Sequence, residues 1–168
     1  MKNNEFVIDT QLQLPYNIID ISSASDEHFV FRFLRFDEGQ TEYSVKNRGI
    51  TGEFGIEYHG RGMDCDFSCD ITMESVRDFF LAVESEYDGM GSGTVMLQDY
   101  SADNRTMLIF TRDRHGHFRA DGKILNKDAR YESGLVFAFD FDSGCILDTI
   151  RAGGKFFHEM YRLRENKE

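Results

Sequence analysis

The chain has 168 residues, 40% of them apolar and 16 of them Phe, which is enough to build one core and argues against intrinsic disorder. Its net charge of −11 argues against a nucleic-acid partner, because phosphate binding needs clustered Lys and Arg. No apolar signal segment or membrane-spanning stretch is apparent, and three cysteines are an odd, small number. We therefore expect a single domain over residues 1–168, located in the cytoplasm, with no membrane partner.

The N-terminal third of the chain has the pattern of short strands. Apolar residues that alternate with polar ones, or that follow one another, predict strands at residues 6–14, Tyr16–Ser22, His28–Phe36, 42–47 and 52–59. The third of these carries Phe on both sides, which predicts a central position in a sheet. Gly60 and Gly62 are expected to turn the chain into the next strand.

Residues 64–88 predict a strand that leads directly into an amphipathic helix. Acidic or hydroxyl side chains alternate with apolar ones from residue 64 to residue 71. A central helix is then expected near residues 73–87, with Thr72 as its N-cap and Gly89 ending it in the left-handed conformation. Its buried stripe is expected to be Val76, Phe79, Phe80, Val83 and Tyr87.

The C-terminal half predicts a meander and a second long helix. Strands are expected at residues 94–100, Thr106–Arg112, 117–125 and 131–141. A C-terminal helix is expected near residues 144–163 with Ser143 as its cap, and Gly153-Gly154 predicts a kink or close packing at its middle. No internal repeat is apparent. The predicted fold class is α+β, with an antiparallel meander-like sheet that is either strongly curved or sandwich-like.

The acidic strand is the first candidate site. Asp64, Asp66, Ser68 and Asp70 have the ligand types of a calcium loop at its first four ligand positions. The glycine that such a loop needs is replaced by Cys69, and its final Glu is absent. We therefore interpret the row as a solvated acidic strand face, with no metal, that is available for contact with a basic partner.

A predicted hairpin is the second candidate site. Arg114, His115 and His117 lie in a segment, residues 112–119, that concentrates three Arg and two His in an acidic chain. It is either a cationic contact surface, which gains charge as histidines protonate near pH 6, or a solvated turn in which Gly116 supplies the geometry.

Catalytic motifs are missing from the sequence. All three cysteines occupy apolar-face positions, where thiolate formation is disfavoured, so we expect reduced cysteines that are not ligands or nucleophiles. No phosphate loop, nucleophile elbow or metalloprotease motif occurs. The sequence therefore predicts neither an enzyme nor a bound cofactor.

Several short segments resemble the WapI family of bacterial immunity proteins. The similar segments are Gly49-Ile50-Thr51-Gly52, the helix with Phe79-Phe80, Tyr87-Asp88-Gly89, Gly116-His117-Phe118 with its strand to Ile124, residues 135–141 and the amphipathic C-terminal helix. Unlike many members of that family, the chain has no Trp.

The resemblance implies a non-catalytic binding protein that neutralises a toxin domain made by the same cell. It implies a protein partner for this chain, and the residues that we expect to contact it are Asp64, Asp66, Asp70, Arg114, His115 and His117. The alternative is a small-ligand-binding or enzymatic α+β domain, which would need a polar-lined cavity between sheet and helix. Self-association of the chain is also left open.

Overall fold

A computed structural model describes residues 8–69, 71–89, 92–98, 106–126 and 133–165. Within these residues the chain forms eight strands and three helices. In chain order they are β1 (Tyr16–Ser22), β2 (His28–Phe36), α1 (Glu42–Arg48), β3 (Gly52–Gly60), β4 (Met63–Cys69), α2 (Met73–Asp88), β5 (Gly93–Gln98), β6 (Thr106–Arg112), β7 (Phe118–Asn126), β8 (Ser133–Phe141) and α3 (Ser143–Glu165).

The strands form two separate antiparallel meanders. Sheet A has the order β1-β2-β3-β4 and sheet B has the order β5-β6-β7-β8. The predicted α+β class with an antiparallel sheet is therefore confirmed, as two four-stranded sheets. Each meander is followed by a long helix, so the chain repeats one architecture that its sequence does not reveal as a repeat.

Each long helix packs against the sheet that it does not follow. Helix α2 leaves sheet A and packs against β5, whereas α3 leaves sheet B and packs against β1. The Tyr16 hydroxyl on β1 donates to the carbonyl of Ala152 on α3 over 3.2 Å. This crossed placement makes the two halves of the chain share one core.

Aromatic rings connect the two sheets and the two long helices pairwise. Between the sheets, the ring centroids of Phe29 and Phe137 lie 5.1 Å apart. Phe33 of sheet A and Phe156 of α3 lie 5.2 Å apart. Phe79 of α2 and Phe110 of sheet B lie 5.4 Å apart. Between the two helices, Phe80 and Phe157 lie 5.9 Å apart. We call these four contacts the aromatic circuit.

The predicted first strand is wrong for the residues described. Residues 8–15 form no strand, and residues 6 and 7 lie outside the described part. The segment instead lies along α3, where the backbone N–H of Gln11 donates to Glu159 over 2.7 Å and Arg162 donates to the carbonyl of Asp9 over 2.7 Å. A buried carboxylate thus takes the place of a neighbouring strand as hydrogen-bond partner.

The strand predicted at residues 42–47 is also wrong, because this segment is helix α1. Thr41 and Ser44 form a reciprocal capping box in which each side chain accepts a hydrogen bond from the other residue's backbone N–H. That cap satisfies two donors at the helix start. Only Val45 of this helix is buried, so the segment has almost no apolar periodicity to indicate a helix.

The caps of the long helices differ in part from the predictions. Thr72 caps α2 as expected, since its side chain accepts from the N–H of Ser75. Gly89 is not left-handed, since its φ is −72°. The Arg112 guanidinium instead donates to the carbonyls of Glu86 and Gly89 at the end of α2, so it satisfies carbonyls that a left-handed glycine cap would satisfy.

At the start of α3, the cap lies one residue before the predicted one. Asp142 Oδ1 accepts from the N–H of Gly144 over 2.6 Å, while Ser143 is already helical. The positive end of the helix dipole also stabilises a carboxylate at this position.

Two adjacent glycines in α3 have opposite surroundings. A Cβ on Gly153 would overlap the ring of Phe80, whereas one on Gly154 would meet nothing within 4 Å. Close packing is therefore the outcome at this pair, and α3 runs unbroken through it.

The glycine pair gives the first prediction. Gly153→Ala should destabilise the protein by about 1–3 kcal/mol, because the added methyl displaces a packed ring. Gly154→Ala should stabilise it by up to about 1 kcal/mol, because Ala has the higher helix propensity. Urea unfolding of the two variants measures both changes. Effects of the same sign would contradict this description of the α2–α3 contact.

The aromatic circuit gives the second prediction. Phe79 and Phe80 are 2% and 7% exposed, so Phe79→Ala and Phe80→Ala should each cost about 3–5 kcal/mol of unfolding free energy. Leu81→Ala is the matched control on the same helix, since Leu81 is 58% exposed and should cost less than about 1 kcal/mol. Chemical denaturation of the three variants tests the ranking.

Glu159 gives the third prediction. Hydrogen bonds from Arg162 hold the pKa of this buried carboxyl at about 2, well below its ordinary 4.5. Because the folded pKa is the lower one, the ionised group stabilises the fold fully above about pH 4.5, and this contribution is lost as the pH falls towards 2.

Glu159→Gln should therefore cost about 1–3 kcal/mol at pH 7 and clearly less at pH 3. Urea unfolding of wild type and variant at both pH values measures this difference. The control Asp148→Asn removes an exposed carboxylate of the same helix and should change little at either pH. An equal cost of Glu159→Gln at the two pH values would refute the assignment.

Candidate functional site

The outer face of sheet A carries a concentration of carboxylates, which we call the acidic face. Apolar side chains of β3 such as Ile56 and Tyr58 are buried, whereas Glu57 and His59 point the other way and are exposed. The same alternation exposes Asp64 and Asp66 on β4. The acidic face consists of Asp20, Glu53, Glu57, Asp64 and Asp66, with His28, His59, Arg32 and Arg35 among them.

The tight turn between β3 and β4 sets which residues meet on this face. Arg61 and Gly62 both have positive φ, 51° and 76°, which is typical of a two-residue hairpin turn. This turn pairs His59 with Asp64 and Glu57 with Asp66. A shift of one residue would turn these side chains into the core.

Hydrogen bonds to the buried carboxylate of Glu27 hold the turn in place. Arg61 Nε donates to Glu27 over 2.9 Å, and the Tyr58 hydroxyl donates to the same carboxylate over 3.2 Å. Burial and the neighbouring Glu27 raise the pKa of Tyr58, so its hydroxyl stays a donor at neutral pH. The guanidinium of Arg61 also donates to the carbonyl of Ala138 on sheet B, which fixes the turn against the second sheet.

Most carboxylates of the acidic face have a partner within it. His28 pairs with Asp20 at 2.7 Å, and His59 pairs with Asp64. Arg32 pairs with Glu57. These pairs cross between neighbouring strands, so they fix side-chain directions as well as charge.

Glu53 and Asp66 differ in how far their carboxylates are paired with other groups on this face. Glu53 accepts from Ser68 and Arg35, each over 2.7 Å, and the hydrogen bond from Ser68, followed by that from Arg35, lowers its pKa. Asp66 is exposed and belongs to no ion pair among the residues that the structure describes. Asp66 is thus an uncompensated charge on a face of mostly paired groups.

Summed over the face, negative charge remains. Five carboxylates stand against the two guanidinium groups of Arg32 and Arg35, which leaves −3 with the histidines neutral. The side chain of Asp64 is 82% exposed, and an open cleft of about 460 Å³ lies along His28, Glu57, His59, Asp64 and Asp66. This face is therefore accessible to a partner and has a negative potential.

The hairpin between β6 and β7 is organised around one aspartate. Asp113 Oδ1 accepts the backbone N–H groups of His115 and His117 over 2.8 and 2.9 Å, and its Oδ2 lies 3.0 Å from the His117 ring. The backbone hydrogen bond from His117 lowers the pKa of Asp113 most. Together with Gly116 at φ 84°, these contacts account for the turn.

Two of the three arginines near this hairpin serve contacts within the fold. Arg112 caps α2, and Arg119 pairs with Asp121 at 3.1 Å and Asp140 at 3.8 Å. Arg114 is exposed at the tip. Of the two interpretations of this segment, the geometry favours the solvated turn over a cationic contact surface.

The predicted contact residues that the structure describes lie on two different sheets. Asp64 and Asp66 lie on sheet A and line its cleft, whereas Arg114, His115 and His117 lie at the β6–β7 turn of sheet B and do not line it. Asp70 lies outside the described residues.

Sequence reasoning missed the members of the acidic face that come from other strands. His28 and Glu57 are brought beside the acidic strand only by the register of β2, β3 and β4. His59 had a usable signal, since a two-residue turn at Arg61-Gly62 places it opposite Asp64.

Within the described ranges, no group of three or more His, Cys, Asp or Glu is arranged to hold a metal ion. No disulfide links Cys65, Cys69 and Cys145. Between α2 and sheet B lies a cavity of about 10 Å³, too small for an organic ligand. Among the helices described, none is long and apolar enough to span a bilayer.

Comparison with known proteins adds no identification. No protein-family model, curated protein or solved structure matches the chain. The resemblance to WapI immunity proteins therefore stays a prediction from short segments, and the function must be argued from the site.

Proposed function

We propose that this chain is a non-catalytic cytoplasmic binding protein that neutralises a toxin domain by covering a basic surface on it. The observation that carries the proposal is the acidic face, an accessible strand surface that keeps a net negative charge around Asp64 and Asp66. Complementary charge accelerates association and selects against wrong partners. A nuclease-like toxin has such a basic surface, since it must bind phosphates.

Two further features support a binding role for this face. Its side chains project from a sheet whose register is fixed by the turn at Arg61 and the buried Glu27, so little order is lost on binding. Its cross-strand pairs hold most charges in place, while Asp66 is left for an incoming cation. A rigid surface with a preset charge pattern suits tight recognition of one partner.

The alternative, an enzymatic or ligand-binding domain, draws on the same cleft. His28 and His59 each face an aspartate there, the pairing that orients a histidine as general base. If the cleft were catalytic, His59→Asn would abolish turnover while leaving partner association unchanged. In the binding role, the same substitution changes association and no reaction depends on it.

The proposal gives the fourth prediction. Asp64→Asn/Asp66→Asn should slow association with the partner severalfold at low salt and flatten its dependence on ionic strength, while dissociation changes little. The partner is first captured from extracts of the native cell on the immobilised chain. The growth inhibition that the captured partner causes is then measured with and without co-expression of this chain. Association rates of the two proteins are measured over a salt series.

The matched control is Glu84→Gln/Asp148→Asn, which removes two exposed charges from the helices and should leave the association rate within about twofold of wild type. Both double variants should unfold at nearly the same denaturant concentration as wild type, since exposed charges contribute little. Equal association rates for the two double variants would remove the acidic face from the interface. A captured partner that does not inhibit growth would overturn the immunity role.

A further inference from the structure

A groove between the three helices has a positive charge, opposite in sign to that of the acidic face. It lies where the end of α1, the start of α2 and the end of α3 meet, and it has a volume of about 500 Å³. Its charged side chains are Arg48, Arg77, Arg164 and Glu74, a net charge of +2 in a chain of −11. We call it the arginine groove.

The floor of the arginine groove is apolar. Ile50 and Met160 are buried at its base, Met73 and Phe157 are half-buried, and the exposed ring of Tyr161 forms one wall. Guanidinium groups around an apolar floor select a ligand that has both an anionic group and an apolar body. An inorganic anion would leave the apolar floor exposed to solvent, and a neutral apolar molecule would form no ion pair with the arginines.

The arginines differ in how far the fold already uses them. Arg164 donates to the carbonyl of Lys46 at the end of α1 over 3.2 Å, which ties α3 to α1. Among the described residues, the ion-pair partners of Arg77 belong to its own helix, Asp78 at 3.0 Å and Glu74 at 3.7 Å. Arg48 makes no hydrogen bond or ion pair within the part of the chain that is described. Arg48 and Arg77 therefore can turn to an incoming anion without breaking a contact between helices.

The start of α2 adds to the same field. The first N–H groups of a helix have no partner within the helix and carry a partial positive charge. Met73 and Glu74, the first two residues of α2, line the groove. The start of α2 therefore adds a partial positive charge to the groove that Arg77 also lines.

We propose that the arginine groove binds a small organic anion, a carboxylate or phosphate ester joined to an acyl or aryl body. The volume of the groove lies in the range of small-molecule sites, and its charge pattern is complementary to such a ligand. This site is separate from the acidic face, so it gives the protein a second ligand besides its proposed protein partner.

The test, which is the fifth prediction, is an NMR titration of the ¹⁵N-labelled chain with sodium octanoate and, in parallel, with octan-1-ol. Octanoate should give saturable shift changes that centre on Met73, Arg77 and Tyr161, and octanol should not saturate the same residues. Arg48→Gln/Arg77→Gln should weaken octanoate binding about tenfold, because each substitution removes a charge-assisted contact with the carboxylate of octanoate.

The matched control is Arg119→Gln/Arg151→Gln, which removes two guanidinium groups with side chains 51% and 73% exposed elsewhere on the surface. It should bind octanoate as wild type does. Tyr161→Ala is a second variant that removes the wall without touching the core, and it should weaken binding severalfold. Thermal unfolding of each variant shows whether it keeps the fold.

Equal octanoate affinity in Arg48→Gln/Arg77→Gln and its control would overturn the proposal. Shift changes centred outside the groove, or no saturation by octanoate, would overturn it as well. Saturable binding of an acidic peptide without binding of octanoate would also refute it, since the occupant would then be a protein segment.

Discussion

The aromatic circuit is the constraint on which the rest of the structure depends. Four ring contacts run from sheet A to α3, to α2, to sheet B and back to sheet A, closing through Phe29 and Phe137. Ring pairs at these separations contribute more than the burial of their area alone. Because each sheet or helix contacts two others through these rings, loss of one ring contact also weakens the packing of elements that do not take part in it. The outer face of sheet A is then left for charged groups.

The rings of the circuit fit because glycines leave space for them. Gly153 has no side chain, so the ring of Phe80 reaches the backbone of α3. Gly122 on β7 does the same for Phe137, whose ring would overlap a Cβ there. A chain rich in Phe and without Trp can fill its core with one repeated ring size, and glycines provide the fine adjustment.

The local sequence pattern predicted most strands and both long helices, and it misassigned residues 8–14 and 42–47 as strands. Strands β1, β2 and β6 and helix α2 follow from alternation and from a 3.6-residue stripe. The N-terminal segment has the alternation of a strand, but its partner is Glu159, far along the chain, so the pattern alone misassigned it. Asp64 and Asp66 were correctly predicted to point outward, whereas His28 and Glu57 join them through strand register, a property of the assembled sheet.

The crossed placement of the two long helices also orders the events of synthesis. Sheet A leaves the ribosome before sheet B and α3, yet its Phe33 and Phe54 contact Phe156 of α3, which lies more than a hundred residues after both. During that interval the nascent chain shows an apolar sheet surface and the free edge of β1, both of which attract other unfinished chains. Exchange of α3 between two such chains would bury the same surface of β1, which is the geometry of domain swapping.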